Sequence, residues 1–146
     1  MDVDHRQLGA DLFNFVWTLL EKPDRTQDED DLMAHAAHAS AYHWRQVGEP
    51  RHFARSEWQC SRVYAVLGRP EPALHHARHC LDWCERGEVE DWDTPYAHEA
   101  LARAYEVAGD EVAAERHLDL ARELAEQIAD PEDRELLDRD LATILA

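Results

Sequence analysis

Residues 94–129 read TPYAHEALARAYEVAGDEVAAERHLDLARELAEQIA, and the segment from about 54 to 85 repeats their outline. Tyr64, Gly68, Ala73 and Cys80 are matched by Tyr105, Gly109, Ala114 and Ala121, each 41 positions on (64 to 105, 68 to 109, 73 to 114, 80 to 121). Four positions in one phase mark an internal repeat. The pattern describes a helical hairpin. An aromatic ends the first helix, a glycine takes the left-handed C-cap conformation, and a small residue on the return helix lets the two helices approach closely.

Outward from this pair, apolar residues recur at spacings of three and four along almost the whole chain, and no stretch alternates with the period of a strand. The fold class is therefore all-α. Breaks at Pro23, Gly48 with Pro50, Gly68 with Pro70, Gly87 to Pro95, Gly109 and Pro131 divide the chain into seven helices, at residues 5–22, 27–47, 51–67, 71–87, 94–108, 111–129 and 132–145. The first carries Leu8, Leu12, Phe13, Phe15, Val16, Trp17, Leu19 and Leu20, too many apolar side chains for one narrow stripe, and must pack on more than one neighbour. Thr26 and Glu29 form a capping box for the second, whose acidic first turn, Asp28 to Asp31, suits the positive end of the helix dipole. The organisation expected is one domain spanning 1–146: N-terminal helices within 5–47, repeat hairpins at 51–87 and 94–129, and a capping helix at 132–145. The cap presents Leu136, Leu137, Leu141, Ile144 and Leu145 on one side.

The run Tyr105-Glu106-Val107-Ala108-Gly109-Asp110, followed by Ala114, Leu118 and Ala121, resembles the tetratricopeptide repeat, and Leu101 and Ala102 sit where that family places a large and then a small residue. The resemblance covers about Thr94 to Ala129 well and Ala54 to Glu85 fairly. Before that, only Trp44 and Gly48 echo the aromatic and the glycine. Glu57 and His98 depart from the pattern, standing where the family often has a large aromatic. The period also exceeds the usual repeat of about 34 residues, which the longer helices of kinesin-light-chain-like repeats would explain. The resemblance implies a short right-handed superhelix of stacked hairpins.

Thirty-two acidic residues against 15 Lys and Arg give a formal charge of −17. A nucleic-acid backbone or an anionic membrane is repelled by such a field, whereas a basic peptide or protein surface is attracted. The first twenty residues contain Asp2, Asp4 and Asp11 and lack the basic flank and apolar run of a signal peptide. No window reaches the roughly 18 apolar residues that span a bilayer. Three cysteines, Cys60, Cys80 and Cys84, form an odd set that reads as reduced, small core residues, so a cytoplasmic location is expected. Abundant alanine, and arginine almost to the exclusion of lysine (Lys22 alone), match the coding bias of a GC-rich bacterial genome.

In tetratricopeptide arrays the first helix of each hairpin lines a concave groove. Carried onto this chain, the resemblance places His35, His38, Tyr42, Trp58, Arg62, Tyr96, Glu99 and Arg103 in the groove, from the second, third and fifth helices. Aromatics supply rigid apolar area, and Arg and Glu fix orientation, which suits a peptide or a partner helix. Trp58 and Tyr96 are the expected anchors, with Arg62, Arg103 and Glu99 as polar clamps. The same two aromatics read equally well as core residues, the charges then pairing with one another.

The ten histidines raise a second reading. His75 and His79, like His76 and Cys80, stand one helical turn apart. A set of His38, Glu57, His75, His79 and Glu99 has the chemistry to hold a transition metal such as Zn. Against it, Ala73, Ala77 and Cys80 claim the buried face of the fourth helix and leave His75, His76 and His79 mostly outside. His98-Glu99-Ala100-Leu101-Ala102 lacks the second histidine of a zincin. Ser40, Ser56 and Ser61 lie within helices, the five glycines are isolated helix stops, and no catalytic residue is assigned. Trp92, in the acidic loop Glu88 to Asp93, is expected to tuck beneath that loop as a staple. The function expected is a non-enzymatic interaction module without a cofactor. The alternatives are a metal-binding protein and a homodimer joined through the groove.

Overall fold

A computed structural model describes residues 2–146. Its seven helices are α1 (His5–Leu20), α2 (Gln27–Val47), α3 (Pro50–Val66), α4 (Pro70–Glu85), α5 (Asp93–Ala108), α6 (Glu111–Ala125) and α7 (Pro131–Leu141). Local chemistry sets their ends. Thr26 and Glu29 close the expected capping box on α2. The carboxylates of Asp4, Asp110 and Asp130 cap α1, α6 and α7, and Pro50, Pro70 and Pro131 open their helices where no N–H is missed.

The repeated tyrosine and glycine have one structural cause. Gly109 takes φ +80°, its N–H donates to the Glu106 carbonyl at 3.0 Å, and the Asp110 N–H donates to the Tyr105 carbonyl at 3.0 Å. Gly68, at φ +72°, does the same with Ala65 (3.1 Å), and the Arg69 N–H reaches Tyr64 (2.9 Å). Both are Schellman turns with tyrosine at the same place. Gly48 is different: its backbone is extended, at φ −86° and ψ −175°, and it leads straight to Pro50.

The helices pair as α1–α2, α3–α4 and α5–α6, and the hairpins stack in chain order. α2, α4 and α6 form one layer; α1, α3, α5 and α7 form the other. Buried small residues set the spacing, with Ala73, Ala77 and Cys80 on α4 and Ala114 and Ala121 on α6 all closed to solvent, as the repeat predicts. Gly9 on α1 takes the Trp44 indole against its backbone, where a Cβ would come within 2.9 Å of the ring. Gln59, buried on α3, donates to the Phe13 carbonyl at 3.0 Å and fixes α1 over α3. Among the described residues no helix is long and apolar enough to cross a membrane.

Two expectations are corrected. α6 stops at Ala125 and α7 at Leu141, earlier than periodicity suggested, because tight turns take over at 126–127 and 142–145, the second with Leu145 at φ +58°. The cap also divides its leucines. Leu137, Leu141 and Ile144 join Leu118, Ala125 and Ile128 in the core, while Leu136 turns away and stays 49% exposed.

Replacing Gly109 with alanine forces a Cβ into left-handed backbone and is expected to cost about 1–2 kcal/mol in urea denaturation. Gly109→Asn, which tolerates that conformation, is expected to cost less.

Candidate functional site

Along the layer of α1, α3, α5 and α7 lies an open cavity of about 550 Å³. α1 contributes Phe13, Trp17 and Glu21, which share one face at one-turn spacing. α3 supplies Ala54, Arg55 and Trp58, and Cys80 on α4 closes the floor. From α5 and the residue before it come Trp92, Asp93 and Tyr96; from α7, Asp133, Leu136 and Asp140. The aromatic rings run in sequence around the wall. Trp17 lies 5.7 Å from Trp58, Trp58 meets Tyr96 edge-to-face at 5.7 Å, and Tyr96 meets Trp92 edge-to-face at 6.3 Å.

Behind the rings sits a carboxylate with no exposure to solvent, that of Glu99. It accepts from Trp58 Nε1 at 2.8 Å, from Arg62 at 3.2 Å, and from Arg103 Nε and Nη2 at 3.0 and 2.9 Å. Arg103 continues to the Asp140 carbonyl (3.1 Å) and Thr143 Oγ1 (2.9 Å), and Tyr96 donates its hydroxyl to the Asp140 carboxylate at 2.8 Å. Burial and then Asp140 raise the Tyr96 phenol, so it remains a donor at every physiological pH. At the other end, Arg55 grips Asp93 with two bonds of 3.0 Å and stacks over Trp92 at 4.1 Å. The site therefore combines a rigid aromatic wall with fixed charges.

Of the residues the sequence nominated, the structure brings Trp58 and Tyr96 into the cavity. Both also pack inward, Trp58 against the cluster of Ala54, Cys80 and Ala97 and Tyr96 against the C-terminal core. Arg62, Arg103 and Glu99 pair with one another behind the lining. His35, His38 and Tyr42 lie elsewhere: His35 is exposed, His38 bonds the Tyr64 hydroxyl at 2.8 Å, and Tyr42, 61% exposed, packs edge-on to His5 and His43. α2 pairs with α1 as the return helix of the first hairpin, and α1 lines the groove; Gly48, with its extended backbone, joins this hairpin to the next. α1 itself turns into α2 without a glycine, Arg25 binding the Leu19 and Lys22 carbonyls instead.

Trp92 is half-buried in the wall and is a cavity residue as well as a staple. Phe13, Trp17, Glu21, Arg55, Asp93, Asp133, Leu136 and Asp140 were not nominated. The apolar surplus on α1 was the signal for the first two. The five residues of the metal set are not brought together: Glu57 bonds His76 at 2.7 Å, Glu99 is enclosed by its donors, and His75 and His79 lie on the outer face of α4, ring centres 4.4 Å apart and planes tilted by 56°. Among the described residues no three His, Cys, Asp or Glu side chains converge as metal ligands. Burial pushes the Cys60 thiol up to about 12, in keeping with a core role.

No family model, curated protein or solved structure matches the chain at a significant level.

Two predictions concern the frame of the site. Glu99→Ala leaves two guanidinium groups without their carboxylate and is expected to cost about 3–5 kcal/mol in urea denaturation. Glu99→Gln, which keeps an acceptor, should be milder. On the neighbouring face His98 Nδ1 and His117 Nδ1 lie 3.0 Å apart, one donating and one accepting. Burial and then His117 hold His98 down to about 4, and burial and then Arg116 lower His117. A folded pKa below the unfolded value of about 6.5 means the unfolded chain binds the proton first, so this pair weakens the fold as pH falls from about 6.5 towards 4. The difference in urea midpoint between pH 7 and pH 5 should therefore be shifted in His98→Asn towards greater relative stability at pH 5. An unchanged difference would remove the pair from the pH dependence.

Proposed function

We propose that this chain is a non-enzymatic interaction module, of tetratricopeptide-like design, whose groove holds a segment of a partner protein, as a peptide or a helix. One observation carries the reading: four helices contribute five aromatic rings and Leu136 to a single open cavity that the chain's own helices do not cover. Rigid aromatic area with few degrees of freedom to lose is what a recognition surface offers, and an exposed leucine beside it extends the apolar strip. The fixed charges around the wall set orientation. A charge of −17 favours a basic segment and speeds its encounter.

The test uses two exposed positions, so that folding is not at stake. Leu136→Glu places a charge on the groove wall, and Val112→Glu does the same on α6, where Val112 is 74% exposed and outside the cavity. Both variants should keep the helical circular dichroism and melting temperature of the parent. A protein captured from the native cell extract by the parent and by Val112→Glu should be lost, by tenfold or more, from Leu136→Glu. Equal capture by all three would place the partner surface elsewhere.

A further inference from the structure

The manner in which the chain treats its own tryptophans points to the chemistry of the ligand. Four of the five carry one of its guanidinium groups over the ring: Arg6 over Trp44 at 5.2 Å, Arg62 over Trp58 at 6.0 Å, Arg45 and Arg86 over Trp83 at 5.0 and 4.2 Å, and Arg55 over Trp92 at 4.1 Å. Among the described residues, no arginine or lysine of the chain lies over Trp17. Yet carboxylates without an ion-pair partner share the cavity with it: Glu21 follows Trp17 by one turn, and Asp133 and Asp140 line the same cavity from α7. None of these three carboxylates makes an ion pair among the described residues; Asp140 receives only the Tyr96 hydroxyl, while the fourth acid of the wall, Asp93, is neutralised by Arg55.

The opposite end of the cavity shows what such a setting accommodates. There an indole face, a carboxylate and a guanidinium are assembled from Trp92, Asp93 and Arg55. Trp17 has an indole with no guanidinium over it, in a cavity that also holds the carboxylates of Glu21, Asp133 and Asp140. A planar, weakly hydrated guanidinium gains on both counts, stacking on the ring while its edge N–H groups reach the acids. We infer that the Trp17 end of the cavity binds the arginine side chain of a partner segment, between the Trp17 indole and the carboxylates of Glu21, Asp133 and Asp140. This rests on the groove being a binding surface at all, and the experiment separates the two.

The probe is N-acetyl-arginine methylamide, compared with its neutral isostere N-acetyl-citrulline methylamide, titrated into the full chain labelled with nitrogen-15. The five indole N–H signals provide the readout and its control, because Trp17, Trp58 and Trp92 line the cavity and Trp44 and Trp83 do not. The arginine probe is expected to shift the Trp17 and Trp58 signals saturably in the millimolar range and to leave Trp44 and Trp83 in place. The citrulline probe should bind at least tenfold more weakly. Glu21→Gln with Asp133→Asn, two changes near the rim, should bring the arginine probe down to the citrulline level without altering the melting temperature. Equal shifts by both probes would overturn the guanidinium inference and leave an apolar groove standing. Shifts of all five indoles alike, or none by either probe, would overturn the inference, and silence towards an apolar helical peptide as well would take the groove reading with it.

Discussion

A single buried carboxylate holds the layer that lines the cavity together. Glu99 stands on α5 with no access to water, and an ion so placed survives only if its lone pairs are taken up by strong donors. Here the donors come from two helices: the Trp58 indole and Arg62 from α3, and Arg103 from α5 itself. Because Arg103 also binds the Asp140 carbonyl and Thr143, the same network reaches the last helix. The angle of Trp58, the seat of α7 and the width of the cavity thus follow from the satisfaction of one charge.

The cavity wall is built from side chains with two roles. Trp58 and Tyr96 each pack an edge into the core and turn a ring outward, and their polar atoms are tied back to Glu99 and Asp140. A ring fixed in this way loses little entropy when a ligand covers it. The fixed charges are sorted by depth. Those behind the lining pair within the protein, and those at its edge, Glu21 and Asp133, remain free to meet solvent or a partner. The histidines belong to a different part of the design. Two contacts, His5 with His43 and His98 with His117, join the helices of single hairpins through ring nitrogens, and His38 with His76 lies between hairpins.

The repeat at 41 residues carried much of the fold in plain view. Tyr64 with Gly68 and Tyr105 with Gly109 encode local turns whose hydrogen bonds close within six residues, and Ala73, Ala77 and Ala114 mark helix contacts by their size alone. The Thr26 capping box is equally local. The first two helices are less legible. α2 echoes the repeat in Trp44 and Gly48, yet it is the return helix of the first hairpin, so His35, His38 and Tyr42 lie outside the cavity and α1 supplies Phe13 and Trp17.

What the sequence by itself determined was the helical class, the approximate limits of seven helices, the buried faces of α4 and α6, and a strong excess of acidic residues. Each depends on interactions between residues close along the chain or on a summed charge, both of which can be counted from a string of letters. Tertiary structure alone decided that α1 pairs with α2, that α1 and α7 line one cavity with α3 and α5, and that Glu99 is spent on Trp58, Arg62 and Arg103 while Glu21 and Asp133 make no ion pair among the described residues. Those outcomes depend on side chains roughly forty residues apart competing for the same space and the same hydrogen bonds, and periodicity carries no record of who wins.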